Sequence, residues 1–303
     1  MTPGRAMIVG GSMAGLLAAL SLRRRGWDVA LYERSPVPLT GRGAGIMTHP
    51  ELLAALAALG LDTGRDFGLA VAERVVLDAA GAVVARRRRP QVSTSWNRLF
   101  ELLGGGLEDA VGGGACRLGK DLVRVVQEGD GVTAHFSDGT TVAGDLLVGA
   151  DGLRSAVRSQ YLPQARPLYA GYVAWRGMLD ERTAVPALTG ELFAQFSFCL
   201  PPGEQFLGYP VAGPGNDLRP GHRSWNVVWY RPADEATELP QLLTDAGGRT
   251  HEVSIPPPLV APAVVGEMRA ASERLLAPQF RAAVALIAQP FLQPVYDLES
   301  PGL

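Results

Sequence analysis

Cysteine is scarce in this chain. Cys116 and Cys199 are the only two, far apart, in no CxxC motif and no metal-ligand spacing. They read as small core residues, with the reducing cytoplasm as the default compartment. An excess of one charge is lacking too: 28 Lys and Arg stand against 30 Asp and Glu, a formal net charge of −2. Nothing global therefore draws the chain to nucleic acid or to an anionic membrane. No uninterrupted apolar run approaches the length of a membrane span, and the N-terminus lacks the order of a signal peptide. The reading is a soluble, intracellular protein. There is no Ser-His-Asp order, no HExxH and no metal-ligand cluster, so hydrolase and metal chemistry have little support and no metal is expected. Internal repeats and long low-complexity tracts are missing as well.

What is present is enough for two domains or one large domain with an insertion: 303 residues, 47% hydrophobic and 19% charged. Arg5 to Val9 is a β-rich run ending in Gly10-Gly11. Met13, Leu16, Leu17 and Leu20 then recur at helical spacing up to Gly26, and "WDVALYE" (27–33) reads as a buried strand. This is a β-α-β unit. "PELLAALAALG" (50–60) is a second helix. The stretch 72–87 is a hairpin turning at Ala79 to Gly81, and its basic run Arg86 to Arg89 reads as a solvated strand edge. "TSWNRLFELL" (94–103) is helical, with Gly104 to Gly106 marking its end. Residues 120–152 read as three strands, the last of them, Asp145 to Gly149, buried. Past Tyr161 aromatic residues and proline increase. "LYAGYVAWRGML", "GELFAQFSFCL", "QFLGYPVAG" and "SWNVVWYRP" read as strands of an antiparallel sheet. "IPPPLVAP" is a stiff linker, and 262–289 holds two helices broken at Pro278.

The stretch "IVGGSMAG" carries the first chemistry. A dinucleotide-binding turn needs a tight turn after a strand, close backbone approach to a pyrophosphate and close helix–strand packing. Gly10, Ser12 and Gly15 stand at those positions, and the following helix offers free N–H groups to phosphate. Ser12 can hydrogen-bond phosphate but restricts backbone approach more than glycine does. Glu33, at the end of the second strand, is placed for a ribose hydroxyl. A Gly-rich turn in any α/β protein is the competing reading. An NAD-dependent dehydrogenase would use the same turn, but the Asp-Gly pair and the aromatic sheet argue against it.

The string "LLVGADGLRSAVR" (146–158) follows a β-meander and puts Asp151-Gly152 at the end of a strand. Here the chain resembles the flavoprotein aromatic hydroxylases, FAD monooxygenases related to p-hydroxybenzoate hydroxylase. "GRGAGIMTHPELLAAL", "TSWNRLFELL", "YAGYVAWRG", "LGYPVAG", "WNVVWYRP", "IPPPLV" and "PFLQPVYDLESP" resemble the 2,6-dihydroxypyridine 3-monooxygenase branch over nearly the whole chain. The resemblance implies an α/β (overall α+β) fold: a Rossmann-like FAD-binding domain with an inserted antiparallel-sheet substrate domain. The corresponding divisions are 1–165 for FAD, with the hairpin 72–92 toward the substrate side, 166–262 for substrate, and 263–303 as a helical return segment. It implies FAD as cofactor, with contacts at Gly10, Gly11, Ser12, Met13, Ala14, Gly15, Glu33, Arg34, Arg42, Trp96, Leu122, Asp151 and Gly152. Many relatives carry arginine where this chain has Trp96, and a surface position is the competing reading for Arg42.

By the same resemblance, NADH or NADPH supplies electrons, O₂ the oxygen atom, and an electron-rich aromatic or N-heteroaromatic ring accepts it. The protein must orient cofactor and ring and exclude water. Phenol-like rings react best as anions, so a base helps. Tyr172, Trp175, Arg176, Tyr209, Asn226 and Tyr230 are candidates for a flat pocket wall, with core packing as the competing reading for each. His49 is the candidate base, with a helix N-cap or a packed residue as the alternative. A homodimer is left open. The family's third motif, a Gly-Asp after another buried strand, has no match before Leu303. The expectation is a C-terminally truncated chain, short of phosphate and ribityl contacts worth about 1.5–3 kcal/mol each where charged. The alternative function is then a catalytically silent relative that binds only a nucleotide or a protein partner.

Overall fold

The computed structural model describes residues 4–41 and 45–300. In chain order the first half is β1 (Arg5–Val9), α1 (Met13–Arg23), β2 (Asp28–Tyr32), β3 (Gly45–Met47), α2 (Pro50–Ala58), β4 (Leu69–Leu77), β5 (Val83–Ser95), α3 (Trp96–Val111), β6 (Cys116–Arg117), β7 (Leu122–Glu128), β8 (Gly131–Phe136), β9 (Thr141–Gly144), β10 (Leu146–Gly149) and α4 (Ala156–Tyr161). The second half is β11 (Leu168–Asp180), α5 (Glu181–Phe193), β12 (Phe196–Cys199), β13 (Gln205–Val211), β14 (Ser224–Pro232), α6 (Glu238–Leu242), α7 (Pro262–Leu275), α8 (Pro278–Leu286) and β15 (Phe291–Asp297).

The first sheet is parallel, in the order β10-β1-β2-β6. Strand alternation sends Ala6 and Ile8 to one face, where they pack with Leu16 and Leu20 of α1 and Leu99, Leu103 and Leu107 of α3. Met7 and Val9 go to the other face, against Val125, Ala134 and Phe136 of the antiparallel meander β7-β8-β9. β1 is thus covered on both faces, which its unbroken apolar run requires.

The second sheet has eight strands, β15-β11-β14-β13-β12-β4-β5-β3. It is antiparallel except where β12 runs parallel to β4. The hairpin β4–β5 therefore joins the sheet that carries the aromatic strands. One face, with Val173, Trp175, Trp225, Trp229 and Phe206, is covered by α5, α7 and α8. The other face carries Ala174, Leu207, Tyr209 and Val228, with Tyr230 packed beside them.

Four stretches differ from the sequence reading. α3 runs through Gly104–Gly106 and stops only at Gly112, which adopts φ +79°. Its Leu99/Leu103/Leu107 face is fully buried, and that burial outweighs the weak helix propensity of three glycines. Residues 120–152 form four strands. Asp145 breaks the run, accepting the Arg5 N–H through its carboxylate at 2.6 Å, so that β9 stays in the meander while β10 joins the parallel sheet. β10 is an edge strand in which Leu146, Leu147 and Val148 are half-buried, not the buried strand expected. "GELF" closes α5 instead of opening a strand. In 263–303, α7 and α8 lie on the large sheet, and β15 pairs with β11 in that same sheet.

Added Cβ atoms at Gly104 and Gly105 meet nothing within 4 Å. Gly104→Ala and Gly105→Ala are therefore expected to stabilise the protein by about 0.5–1 kcal/mol each, read as a higher urea midpoint. An unchanged or lower midpoint for both would show that α3 does not hold this form in solution.

Two surface features recur below. Asp180 caps α5, and the next residue, Glu181, is buried. The Glu181 carboxylate accepts from the Gly221 N–H (2.7 Å), the Arg223 N–H (3.1 Å) and both arms of the Arg223 guanidinium, which also lies over the Phe193 ring. The carboxyl is held below the usual range, first by Arg223, with burial opposing. In β5, Val83–Arg88 pair with β4 on one side, Arg89 and Pro90 fall at a register shift, and among the described residues β3 meets only Ser93–Ser95 on the other side. The Arg86–Arg89 run lies exposed on that open edge, followed by Pro90, with Arg86 paired to Glu73 and Glu191.

Candidate functional site

The turn after β1 is as tight as the chain allows. Gly10 has φ +109°, and a Cβ there would sit 2.2 Å from the Ala150 carbonyl oxygen. A Cβ on Gly15 would meet the Gly10 carbonyl at 1.8 Å, so α1 starts directly against the turn. Ser12 is the N-cap of α1, and its side chain makes no capping bond. Glu33 accepts the Gly11 N–H at 2.7 Å and the Ser35 N–H at 2.8 Å, tying the end of β2 to the turn.

Asp151 leaves the end of β10 beside that turn. Its carboxylate accepts from Ser155 Oγ (2.5 Å), Ala156 N–H (2.7 Å) and Val157 N–H (3.3 Å), holding the start of α4. Gly152 takes φ +72°. Arg158 closes the loop by donating to the carbonyls of Gly152 and Leu153.

One cavity of about 320 Å³ connects these parts, lined by Gly10, Ser12, Glu33, Arg34, Trp96, Leu122, Asp151 and Gly152. Gly11, Met13, Ala14 and Gly15 build the turn and the first helical residues without lining the cavity. Arg42 lies outside the described residues. Sequence reasoning missed Tyr32, Lys120, Asp121 and Arg154, which also line it. Tyr32 closes β2 one residue before Glu33, and that adjacency was the available signal. Lys120 is already paired with Asp138, whereas Arg34 and Arg154 have no acidic partner among the described residues.

This lining fits an adenine dinucleotide. Backbone N–H groups at a helix start and two uncommitted guanidiniums suit a pyrophosphate. Carboxylates at Glu33 and Asp121 suit ribose hydroxyls, and Trp96, stacked on Phe100 at 4.9 Å, offers a flat apolar face. The buried Tyr32 phenol oxygen has no partner among the described residues, as a group awaiting a ligand acceptor would.

The candidates for the ring wall divide by strand parity. Tyr172 and Arg176 of β11 share a side with Tyr209, Asn226 and Tyr230, whereas Trp175 points to the helix-covered side and is 3% exposed. Period-two alternation forbids Trp175 and Arg176 from sharing a face, so Trp175 is a core residue. Tyr172 meets Tyr230 edge to face at 5.8 Å, and Arg176 donates to Gln293 at 2.9 Å. Burial pushes the Tyr209 phenol up, opposed by Arg176 nearby. Asn226 is fully buried. Its Oδ1 accepts the Gly45 N–H at 3.0 Å, and its Nδ2 has no partner among the described residues. His49 caps α2, accepting the Leu52 N–H at 3.3 Å beside Glu51, exposed and away from the cavity lining. Its position is that of a helix cap, not of a base.

A larger cleft of about 1,200 Å³ opens beside this face, bounded by Met178 and Gln293 of the sheet, by the segment Arg249–Pro257, by Gly41, and by Arg154. Arg154 borders both cavities. His251 lines the cleft and was not singled out in the sequence. The signal was "DAGGRTH", a Gly-Gly turn that folds a histidine back toward an aspartate. Among the described residues no group of three or more His, Cys, Asp or Glu is placed to hold a metal, and no helix is long and apolar enough to cross a membrane.

Comparison with known proteins agrees with this geometry. Residues 8–66 match an NAD(P)-binding Rossmann-like domain, and residues 169–297 an FAD binding domain-like family. The chain is 33% identical over 300 residues to 2,6-dihydroxypyridine 3-monooxygenase of Paenarthrobacter nicotinovorans, spanning 98% of this chain and 72% of that relative. It is 34% identical over 264 residues to 3-amino-4-hydroxybenzoate 2-monooxygenase of Streptomyces cremeus, of whose length it spans 62%. The solved structure of 2,6-dihydroxypyridine-3-hydroxylase from Arthrobacter nicotinovorans superimposes with a TM-score of 0.88 at 32% identity, covering 99% of this chain and 74% of that one. The chain therefore belongs to the FAD-dependent monooxygenases of the 2,6-dihydroxypyridine 3-monooxygenase type.

Proposed function

We propose that this chain binds FAD in the 320 Å³ cavity and takes part in hydroxylating an electron-rich aromatic or N-heteroaromatic ring, of dihydroxypyridine type, with NAD(P)H and O₂. The observation that carries the reading is that one cavity gathers the Gly10 turn, Glu33 and the Asp151-Gly152 loop, which lie far apart in sequence. Bound FAD would supply the redox and oxygen chemistry. The chain's own residues do the rest. Gly10, Ser12 and the start of α1 receive the pyrophosphate, and Glu33 a ribose. Asp151 fixes the loop beside it. The Tyr209–Asn226–Tyr230 side of the large sheet presents an apolar wall with one amide donor that has no partner among the described residues, suited to a flat ring with one or two polar substituents.

Titration of the purified protein with FAD, followed at the 450 nm flavin band, is expected to saturate at one FAD per chain. Adding 2,6-dihydroxypyridine to the loaded protein is expected to accelerate NADH or NADPH oxidation. A protein that takes up no FAD would sink the cavity assignment. FAD uptake with no response to the ring would sink only the substrate class.

A further inference from the structure

His251 is held in a defined protonation geometry. Its Nε2 lies 3.0 Å from Asp245 Oδ2, so Nε2 carries the proton that is donated. Asp245 is fixed in turn, accepting the N–H groups of Gly247 (2.9 Å) and Arg249 (3.0 Å) through Oδ1. The His251 N–H donates to the Leu243 carbonyl at 2.9 Å, which sets the backbone. Both side chains are mostly buried, 12% and 13% exposed. Nδ1 has no partner among the described residues, and it is absent from the buried unpaired atoms, so it remains reachable from the cleft that His251 lines. A histidine whose Nε2–H is held by a carboxylate presents the Nδ1 lone pair as an acceptor.

The cleft's position gives that acceptor a use. Its walls include Met178 and Gln293 from the ring-facing side of the sheet, and Arg154, which also borders the nucleotide cavity. Among the described residues the other titratable or charged groups lining it are Arg154, Arg249 and Glu252. Two cations against one anion favour an anionic occupant.

We infer that His251 is the proton acceptor for the ring hydroxyl and that Asp245 is its positioning residue. The inference rests on the ring-hydroxylase reading above. The O–H bond of the ring breaks, the oxygen keeps the electron pair as a phenolate, and the proton goes to Nδ1. Asp245 stays ionised against Nε2–H.

The test uses FAD-loaded protein without NAD(P)H, and 2,6-dihydroxypyridine as probe. The ionisation of the bound ring is followed by ultraviolet difference spectra between pH 5 and 9. Wild type is expected to hold the ring as its anion. His251→Gln should move the ionisation midpoint up by about one pH unit or more and, in separate turnover assays supplied with NAD(P)H and O₂, lower kcat about a hundredfold with little change in KM. Asp245→Asn should fall between the two. Matching circular dichroism and FAD stoichiometry exclude a folding defect, and nitrogen NMR should show the His251 proton on Nε2 in wild type. A ring that ionises identically in His251→Gln, or a proton on Nδ1, overturns the role of the dyad alone. A ring that never binds wild-type, FAD-loaded protein overturns the substrate reading and the dyad's role with it.

Discussion

Gly10→Ala is expected to abolish FAD binding and to lower stability by about 2–6 kcal/mol. Alanine at φ +109° costs about 1–3 kcal/mol of backbone strain. The new Cβ would also lie 2.2 Å from a backbone oxygen, that of Ala150, which cannot rotate away as a side chain could. Relief by backbone shift costs about 1–3 kcal/mol more. The shift falls on the peptide that carries Asp151, so the turn and the Asp-Gly loop are displaced together. Gly152→Ala is the informative contrast. It has φ +72° but open space around its Cβ, so only the strain should show. Urea unfolding and FAD titration of the two variants check this, and wild-type affinity in Gly10→Ala would refute the turn as the cofactor cradle.

Arg223→Met is expected to destabilise the protein by about 3–5 kcal/mol at neutral pH, because it strands the buried Glu181 carboxylate. The pH dependence fixes the cause. With Arg223 present, the Glu181 carboxyl is depressed in the folded state. Its contribution is therefore complete above the unfolded carboxylate value, about 4.3, and disappears as pH falls through the lower folded value. In the variant the stranded carboxyl is raised by burial, so the gap between variant and wild type should narrow as pH falls from that raised value, through the ordinary carboxylate range, to the depressed wild-type value. Thermal unfolding from pH 3.5 to 8 reads it out. A gap that does not vary with pH would assign the loss to packing of the arginine stem on Phe193 instead.

The nucleotide half was legible in the sequence because its signals are local. A strand, Gly10, Gly15, a helix and Glu33 occupy a single short stretch, and their spacing already encodes the turn. Asp151-Gly152 was legible as a motif, but its task was not. Holding the start of α4 through Ser155, Ala156 and Val157 depends on where the chain goes next. The sheet face proposed for the ring was legible only in part. Tyr209, Asn226 and Tyr230 share it, but choosing aromatic residues by type rather than by alternation wrongly admitted Trp175. α3 was cut short at Gly104 because local propensity is visible in a sequence and burial of Leu103 and Leu107 is not. His49 attracted attention as a lone histidine. His251 did not, since its partner Asp245 is brought to it only by a turn.

The open edge of β5 has a consequence for behaviour in solution. Unpaired strand edges are templates for association, and this one is guarded in two physically different ways. The arginines repel a second copy through charge, over a range of about 8 Å at physiological ionic strength that shrinks as salt is added. Pro90 denies a ladder donor at every ionic strength. Concentrated salt therefore weakens the charge guard and leaves the proline's missing N–H unchanged, so association along this edge is expected to rise with ionic strength.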